Sequence, residues 1–279
     1  MNENILTFGP GARLTGTLTR PDGPSRGTAI LLLNAGVIHR MGPHRINVKL
    51  ARALAAQGHT VLRLDLSGQG DSEASDSTLS YDQQAVADLQ AAMDHIQRLT
   101  SIQTFALAGI CSAAHHGVST AMVDDRLKAL WLMDTHAYPN KKTSLVRAWR
   151  QLNVDPSGTL MGWAGRLPGL LLKRLRPAPR QSEPMQQLLD NPYASPTRDE
   201  FAARLKVIVD KQVRVQLVYS GSFLWLFNYA GQWRDTFKAY GAVADLPCDL
   251  IPDVDHTVST LHAQRRLIDA VTRFAAHLN

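Results

Sequence analysis

The chain has 279 residues, 44% of them hydrophobic, which suits either one large α/β domain with a sizeable core or two smaller domains. Two cysteines are too few for a disulfide framework, and no run approaches the ~18 uninterrupted apolar residues of a membrane span. The net charge is +6, and the N-terminal stretch has no basic region followed by an apolar run, so a soluble, cytoplasmic protein is expected.

In chain order, the first thirty residues read as short strands joined by turns, with "RPDGPSRG" (20–27) a loop. "TAILLLNAG" (28–36) is a buried strand, because it is too short for a helix between its breakers. "INVKLARALAAQG" (46–58) reads as a helix closed by Gly58, and "HTVLRLDLSGQGDS" (59–72) as a buried strand breaking at Ser67 and Gly68. Residues 80–99 form an amphipathic helix capped by Ser80. A strand at 104–110 leads into a helix at 113–123. Further strands are expected at 127–134, 213–221 and 247–253, before a last helix at 259–278. This alternation predicts an α/β fold with a mostly parallel, doubly wound sheet. Between Tyr138 and Phe201 the alternation stops. We therefore divide the chain into a core (1–137 and 202–279) and a helical cap insertion (138–201).

The segment "LAGICSAAHHG" (107–117) carries two adjacent nucleophile types, Cys111 and Ser112. A residue exposed on a sharp strand-to-helix turn needs small neighbours two positions away on each side. Cys111 has Gly109 and Ala113, whereas Ser112 has the branched Ile110 on one side, so the spacing selects Cys111. A helix N-terminus and a nearby imidazole both favour the thiolate of such a cysteine. The competing reading is a buried, inert cysteine.

In this context G-I-C-S-A resembles the nucleophile elbow of the α/β-hydrolase fold, with cysteine in place of serine. The segments "LLLNAGVIHRMGPHR", "LRLDLSGQGDS", "AGICSAA", "VYSGS" and "DVDHT" follow in the order expected of that fold. Together they are similar to the serine-aminopeptidase-like branch, and within it to hydrolases associated with exosortase systems. The resemblance implies His256, on the loop after the last strand, as general base. It implies an oxyanion hole made by the backbone N–H of Ser112 and that of Gly36, with Val37 the alternative donor. Relatives carry the supporting acid shortly after the "YSGS" strand, where this chain has Phe223. Asp134, at the end of the preceding strand, is the leading replacement. A Cys-His dyad competes with it, and Asp255 and Asp235 rank lower.

The cluster "HRMGPHR" places His39, Arg40, His44 and Arg45 after the oxyanion loop. They are candidates for binding a carboxylate or phosphate, with Val37 and Phe223 beside them, or else they fix the start of the next helix. The histidines lack the acidic partners and spacing of a zinc site, and "GQGDS" is not followed by GK[ST], so neither a metal nor a cofactor is expected. Residues 141–180 hold nine Lys or Arg against the single acid Asp155. That patch suits an acyl donor on coenzyme A or an acidic carrier protein, and equally a solvated face. No nucleic-acid recognition motif accompanies it. The expected chemistry is ester or thioester hydrolysis through a Cys111 acyl-enzyme. The alternatives are acyl transfer by the same intermediate, or a hydrolase-like protein that binds without catalysing.

Overall fold

Strand β3 (Thr28–Leu33) is buried along its whole length, and its side chains serve two separate cores. Ala29, Leu31 and Leu33 enter one, while Ile30 and Leu32 enter the other. That division follows from the period of two along a strand, and it requires a helical layer on each face of the sheet. The computed structural model describes residues 1–33, 35–158, 161 and 195–278.

Among these residues, one sheet has the strand order β1-β2-β4-β3-β5-β6-β7-β8. Its members are β1 (Asn2–Phe8), β2 (Leu14–Arg20), β3, β4 (Val61–Leu64), β5 (Thr104–Ile110), β6 (Leu127–Met133), β7 (Arg214–Ser220) and β8 (Cys248–Ile251). The β1–β2 and β2–β4 pairs are antiparallel, and every pair from β4 to β8 is parallel. On one face pack α2 (Tyr81–Leu99), α3 (Ser112–Val123), α5 (Arg198–Asp210) and the short α6 (Gln232–Phe237), through residues such as Leu89, Val118, Leu205 and Trp233. On the other lie α1 (Ile46–Ala56) and α7 (Leu261–Ala275), which meet the sheet through Leu50, Leu54, Leu267 and Val271. Each fully buried leucine of these layers stabilises the fold by about 1.5–3 kcal/mol.

Local signals place the helix ends. Ser80 caps α2 in a reciprocal box with Gln83. Asn140 and Thr143 do the same for α4 (Lys141–Val154), and Thr197 and Glu200 for α5. The element ends differ from the sequence expectation most at β4, which stops at Leu64, short of the break expected at Ser67 and Gly68. The Ser72 hydroxyl donates to the Asp65 carbonyl at 2.8 Å and accepts from the Thr15 N–H at 2.8 Å, folding 65–72 into a closed turn. Of the expected cap, α4 and the start of α5 are described. Residues 159–160 and 162–194, with Arg166, Lys173, Arg174, Arg176 and Arg180 of the basic run, lie outside the described residues.

Candidate active site

The turn at Cys111 is built by the ladder that precedes it. Ile110 pairs with Met133 across β5 and β6, and the Cys111 N–H donates to the Met133 carbonyl at 3.0 Å. The chain then breaks out of the sheet: Cys111 has φ 59° and ψ −121°, and α3 starts at the next residue. Such a conformation costs a non-glycine residue of order 1–3 kcal/mol. The Cys111 carbonyl accepts from the Ala114 N–H at 3.0 Å, tying the strained residue to the first turn of α3. Close packing explains the small neighbours. A Cβ on Gly109 would lie 2.8 Å from the Ala113 carbonyl carbon and 2.9 Å from its oxygen.

The strand beside β5 ends in a second strained residue. Asp134 follows β6 with φ 53°, and its N–H donates to the Val218 carbonyl at 2.9 Å. Its buried carboxylate accepts three hydrogen bonds. Oδ1 takes the Ser220 N–H at 2.7 Å, and Oδ2 takes the Ser220 hydroxyl at 2.6 Å and His256 Nδ1–H at 2.8 Å. His256 sits on the loop after β8, which is drawn toward the end of β7 by a close approach at Gly221. The Gly221 N–H donates to Val254 at 2.7 Å, and a Cβ there would stand 2.3 Å from the Pro252 carbonyl oxygen. The Ser222 hydroxyl accepts from the His256 N–H at 2.9 Å. The Phe223 ring stacks on the imidazole at 6.0 Å between centroids.

With one ring nitrogen on Asp134, the His256 imidazole lies close enough to Cys111 to act on its thiol. The thiol is held below its ordinary pKa, first by the adjacent His256 imidazole and against the opposing effect of burial. The imidazole is pushed up to about 10, first by the bond to Asp134 and then by the adjacent Cys111. Both shifts favour a thiolate–imidazolium pair. The structure thus brings Cys111, His256 and Asp134 into one line. Its other acids face elsewhere: Asp255 accepts from Thr257 at 2.7 Å and from the Ser259 N–H at 2.8 Å, and Asp235 accepts from Tyr229 at 2.8 Å and pairs with Lys142 at 3.3 Å.

The remaining expected residues divide. Gly36 has φ 58° and approaches the elbow, its N–H donating to the Ser112 hydroxyl oxygen at 2.7 Å. Val37 is 85% exposed, and Arg45 is exposed with φ 61° at the entrance to α1. Of the two readings of Arg40, substrate binding or a structural role, its contacts within the fold favour the second. The residue is 5% exposed, and its guanidinium Nη1 bonds Asp65, Asp71 (2.7 Å) and His39 (2.8 Å), while Nε bonds Thr17 at 3.1 Å. Within this cluster one ligand atom each from His39, Asp65 and Asp71 lies within 4.8 Å of the others, and the Arg40 cation already joins all three. Sequence reasoning missed Ser220 and Ser222, which orient the acid and the histidine loop. Both lie in the quoted "YSGS" segment, which was the available signal.

A strained residue at a strand-to-helix elbow, facing a histidine held by a buried carboxylate, defines the hydrolase-fold class of proteins. The chain belongs to the α/β hydrolase fold family, whose model matches residues 29–243. No curated protein matches the sequence. Among solved structures it is similar to an α-β serine hydrolase homologue from Coxiella burnetii, with 14% identity over 98% of this chain and 96% of that one and a TM-score of 0.56. It is similar to the thioesterase domain from the curacin biosynthetic pathway, with 18% identity over 98% and 99% of the two chains and a TM-score of 0.55. It also resembles DcsB, solved in complex with its substrate analogue, with 17% identity over the whole of both chains and a TM-score of 0.55. At these identities the likeness is one of fold. Among the described residues no helix is long and apolar enough to cross a membrane.

Proposed function

We propose that the protein is a hydrolase that opens a small-molecule ester or thioester through an acyl-enzyme on Cys111. The observation that carries this reading is the 2.8 Å hydrogen bond from His256 to the buried Asp134, with the strained Cys111 of the elbow beside the same imidazole. His256 takes the thiol proton, and the sulfur attacks the carbonyl carbon while the carbonyl π pair moves to oxygen. The Ser112 N–H, with that of Gly36, stabilises the oxyanion by about 3 kcal/mol per donor. Collapse expels the alcohol or thiol, which leaves with the proton held by His256. Water then attacks the thioester, giving one proton to His256, and Cys111 departs by taking that proton back. Asp134 keeps the imidazole oriented throughout. The chemistry uses no metal or cofactor.

The Cys111 nucleophile is the feature that links this chain to the exosortase-associated branch its sequence resembles, and a cytoplasmic setting suits a free, reactive thiol. Acyl transfer is the second reading, in which an amine, alcohol or carbon nucleophile replaces water. It is favoured by α4, which presents Lys141, Lys142, Arg147 and Arg150 beside Leu145 and Trp149, 69% and 66% exposed. That helix is tied to the segment following Phe223, since Arg147 donates to the Trp225 carbonyl and Arg150 to that of Asn228. A basic helix with apolar side chains, within a cap spanning 138–201, suits an acyl chain delivered on coenzyme A or an acidic carrier protein.

Intact mass spectrometry after mixing with an acyl thioester or a p-nitrophenyl ester tests the proposal. An acyl adduct on the wild type that is absent in Cys111→Ala is the expected result, with free acid released on turnover. No adduct and no turnover across chain lengths would overturn it.

A further inference from the structure

One amide donor of the expected oxyanion hole is engaged by the chain itself. The Gly36 N–H donates to Ser112 Oγ at 2.7 Å. An oxyanion sits about 2.7–3.1 Å from each of its donors. The Ser112 oxygen therefore stands at the distance from Gly36 that a reacting carbonyl oxygen must occupy. An amide has one hydrogen and prefers a near-linear acceptor, so the two oxygens compete for one place. Packing does not impose the contact: Gly36 has open space around the position of a Cβ, and its φ of 58° is one that glycine adopts freely. The hydroxyl oxygen itself makes the link between the loop after β3 and the start of α3.

We propose that the Ser112 side chain is a plug of the oxyanion hole, displaced when the substrate carbonyl arrives. Resting on the acyl-enzyme reading, this assigns Ser112 a role for its hydroxyl beside that of its N–H. Rotation about χ1 withdraws Oγ, and the Gly36 N–H exchanges one acceptor for another. The exchange is favourable when the incoming oxygen carries developing charge, because a charge-assisted bond replaces a neutral one. The plug keeps the unloaded hole satisfied and sets a threshold that a weak carbonyl acceptor does not pass.

The test compares acylation of Cys111 by p-nitrophenyl butyrate with alkylation by iodoacetamide, which attacks at a saturated carbon and forms no oxyanion. Ser112→Ala removes the competing acceptor and should raise the second-order acylation rate about fivefold, the factor set by one neutral hydrogen bond. Its iodoacetamide rate should match the wild type, which also shows that the elbow is intact. Ser112→Thr restores a hydroxyl and should reverse the acceleration. Acylation of Ser112→Ala at the wild-type rate or slower overturns the plug while leaving the acyl-enzyme standing. Absence of both a butyryl adduct and p-nitrophenol release on the wild type and variants, with iodoacetamide still labelling Cys111, overturns the acyl-enzyme and the plug with it.

Discussion

His256 Nδ1 donates to Asp134 Oδ2 at 2.8 Å, joining residues 122 positions apart in the chain. The carboxylate is fully shielded from solvent, whereas the imidazole is 31% exposed. The buried partner therefore fixes the position and the tautomer of the accessible one. In Asp134→Asn the amide cannot accept in the same way from every donor now placed on it, and the imidazolium loses its counter-charge. The expected outcome is a fall in kcat of about 10²-fold, within the range of general acid–base contributions, with little change in KM. Steady-state kinetics on the p-nitrophenyl ester check it. A retained kcat would leave a Cys-His dyad as the working unit.

The pH dependence follows from the two shifted groups. The thiol lies below its ordinary pKa and the imidazole is raised to about 10, so the ion pair persists between these two values. Alkylation of Cys111 by iodoacetamide should rise through a pH below that of a free cysteine, near ~8.5. The signs for stability are opposite for the two groups. A raised histidine contributes stability that is full below its unfolded value, ~6.5, and is lost as pH rises through about 10. A depressed thiol contributes stability that is full above its unfolded value and is lost as pH falls through the folded one. His256→Gln should remove the histidine contribution, so that the difference in melting temperature from wild type shrinks between pH 6.5 and 10. It should also return the alkylation profile toward that of free cysteine.

The parts of this architecture that sequence made legible are those governed by periodicity and local sterics. The run 28–33 reads as a strand because its residues are apolar on both faces, and the structure divides them between two cores. The small residues at 109 and 113 point to the elbow because the steric conflict they avoid lies within five residues. The contacts of Arg40 were not legible for the opposite reason. Its partners Asp65 and Asp71 lie 25 and 31 positions away, and only the turn at 65–72 brings both carboxylates to one guanidinium. The same turn ended β4 earlier than its apolar pattern suggested, because the hydrogen bonds of Ser72 outweigh strand propensity there. Asp134 lay between these cases. Its place at a strand end was visible, while the Ser220 contacts that orient it depend on how β6 and β7 pair.

Gly109 offers a test of the elbow that does not touch the reacting atoms. In Gly109→Val the new Cβ meets backbone atoms of Ala113 at 2.8–2.9 Å, so α3 has to shift away from β5. Overpacking of this kind destabilises by about 1–3 kcal/mol. The displaced helix also carries the Ser112 N–H away from the thiol. Urea denaturation should show a lower midpoint with an unchanged slope, and acylation of Cys111 should slow by more than the small fraction unfolded explains.

Arg40 separates a structural role from a substrate-binding one. Its side chain is 7% exposed and its partner Asp65 is wholly buried, so removing the cation leaves a buried carboxylate without its guanidinium partner. Breaking a buried pair in this way costs about 3–5 kcal/mol. Arg40→Met keeps much of the side-chain volume, so the loss should come from the charge and not from a cavity. The expected result is a large drop in unfolding free energy, measured by urea titration, with KM for the ester unaltered in the folded fraction. The Asp65→Asn, Arg40→Met double variant should recover part of that loss, because the stranded charge is gone. A rise in KM with stability intact would instead place the guanidinium at the substrate.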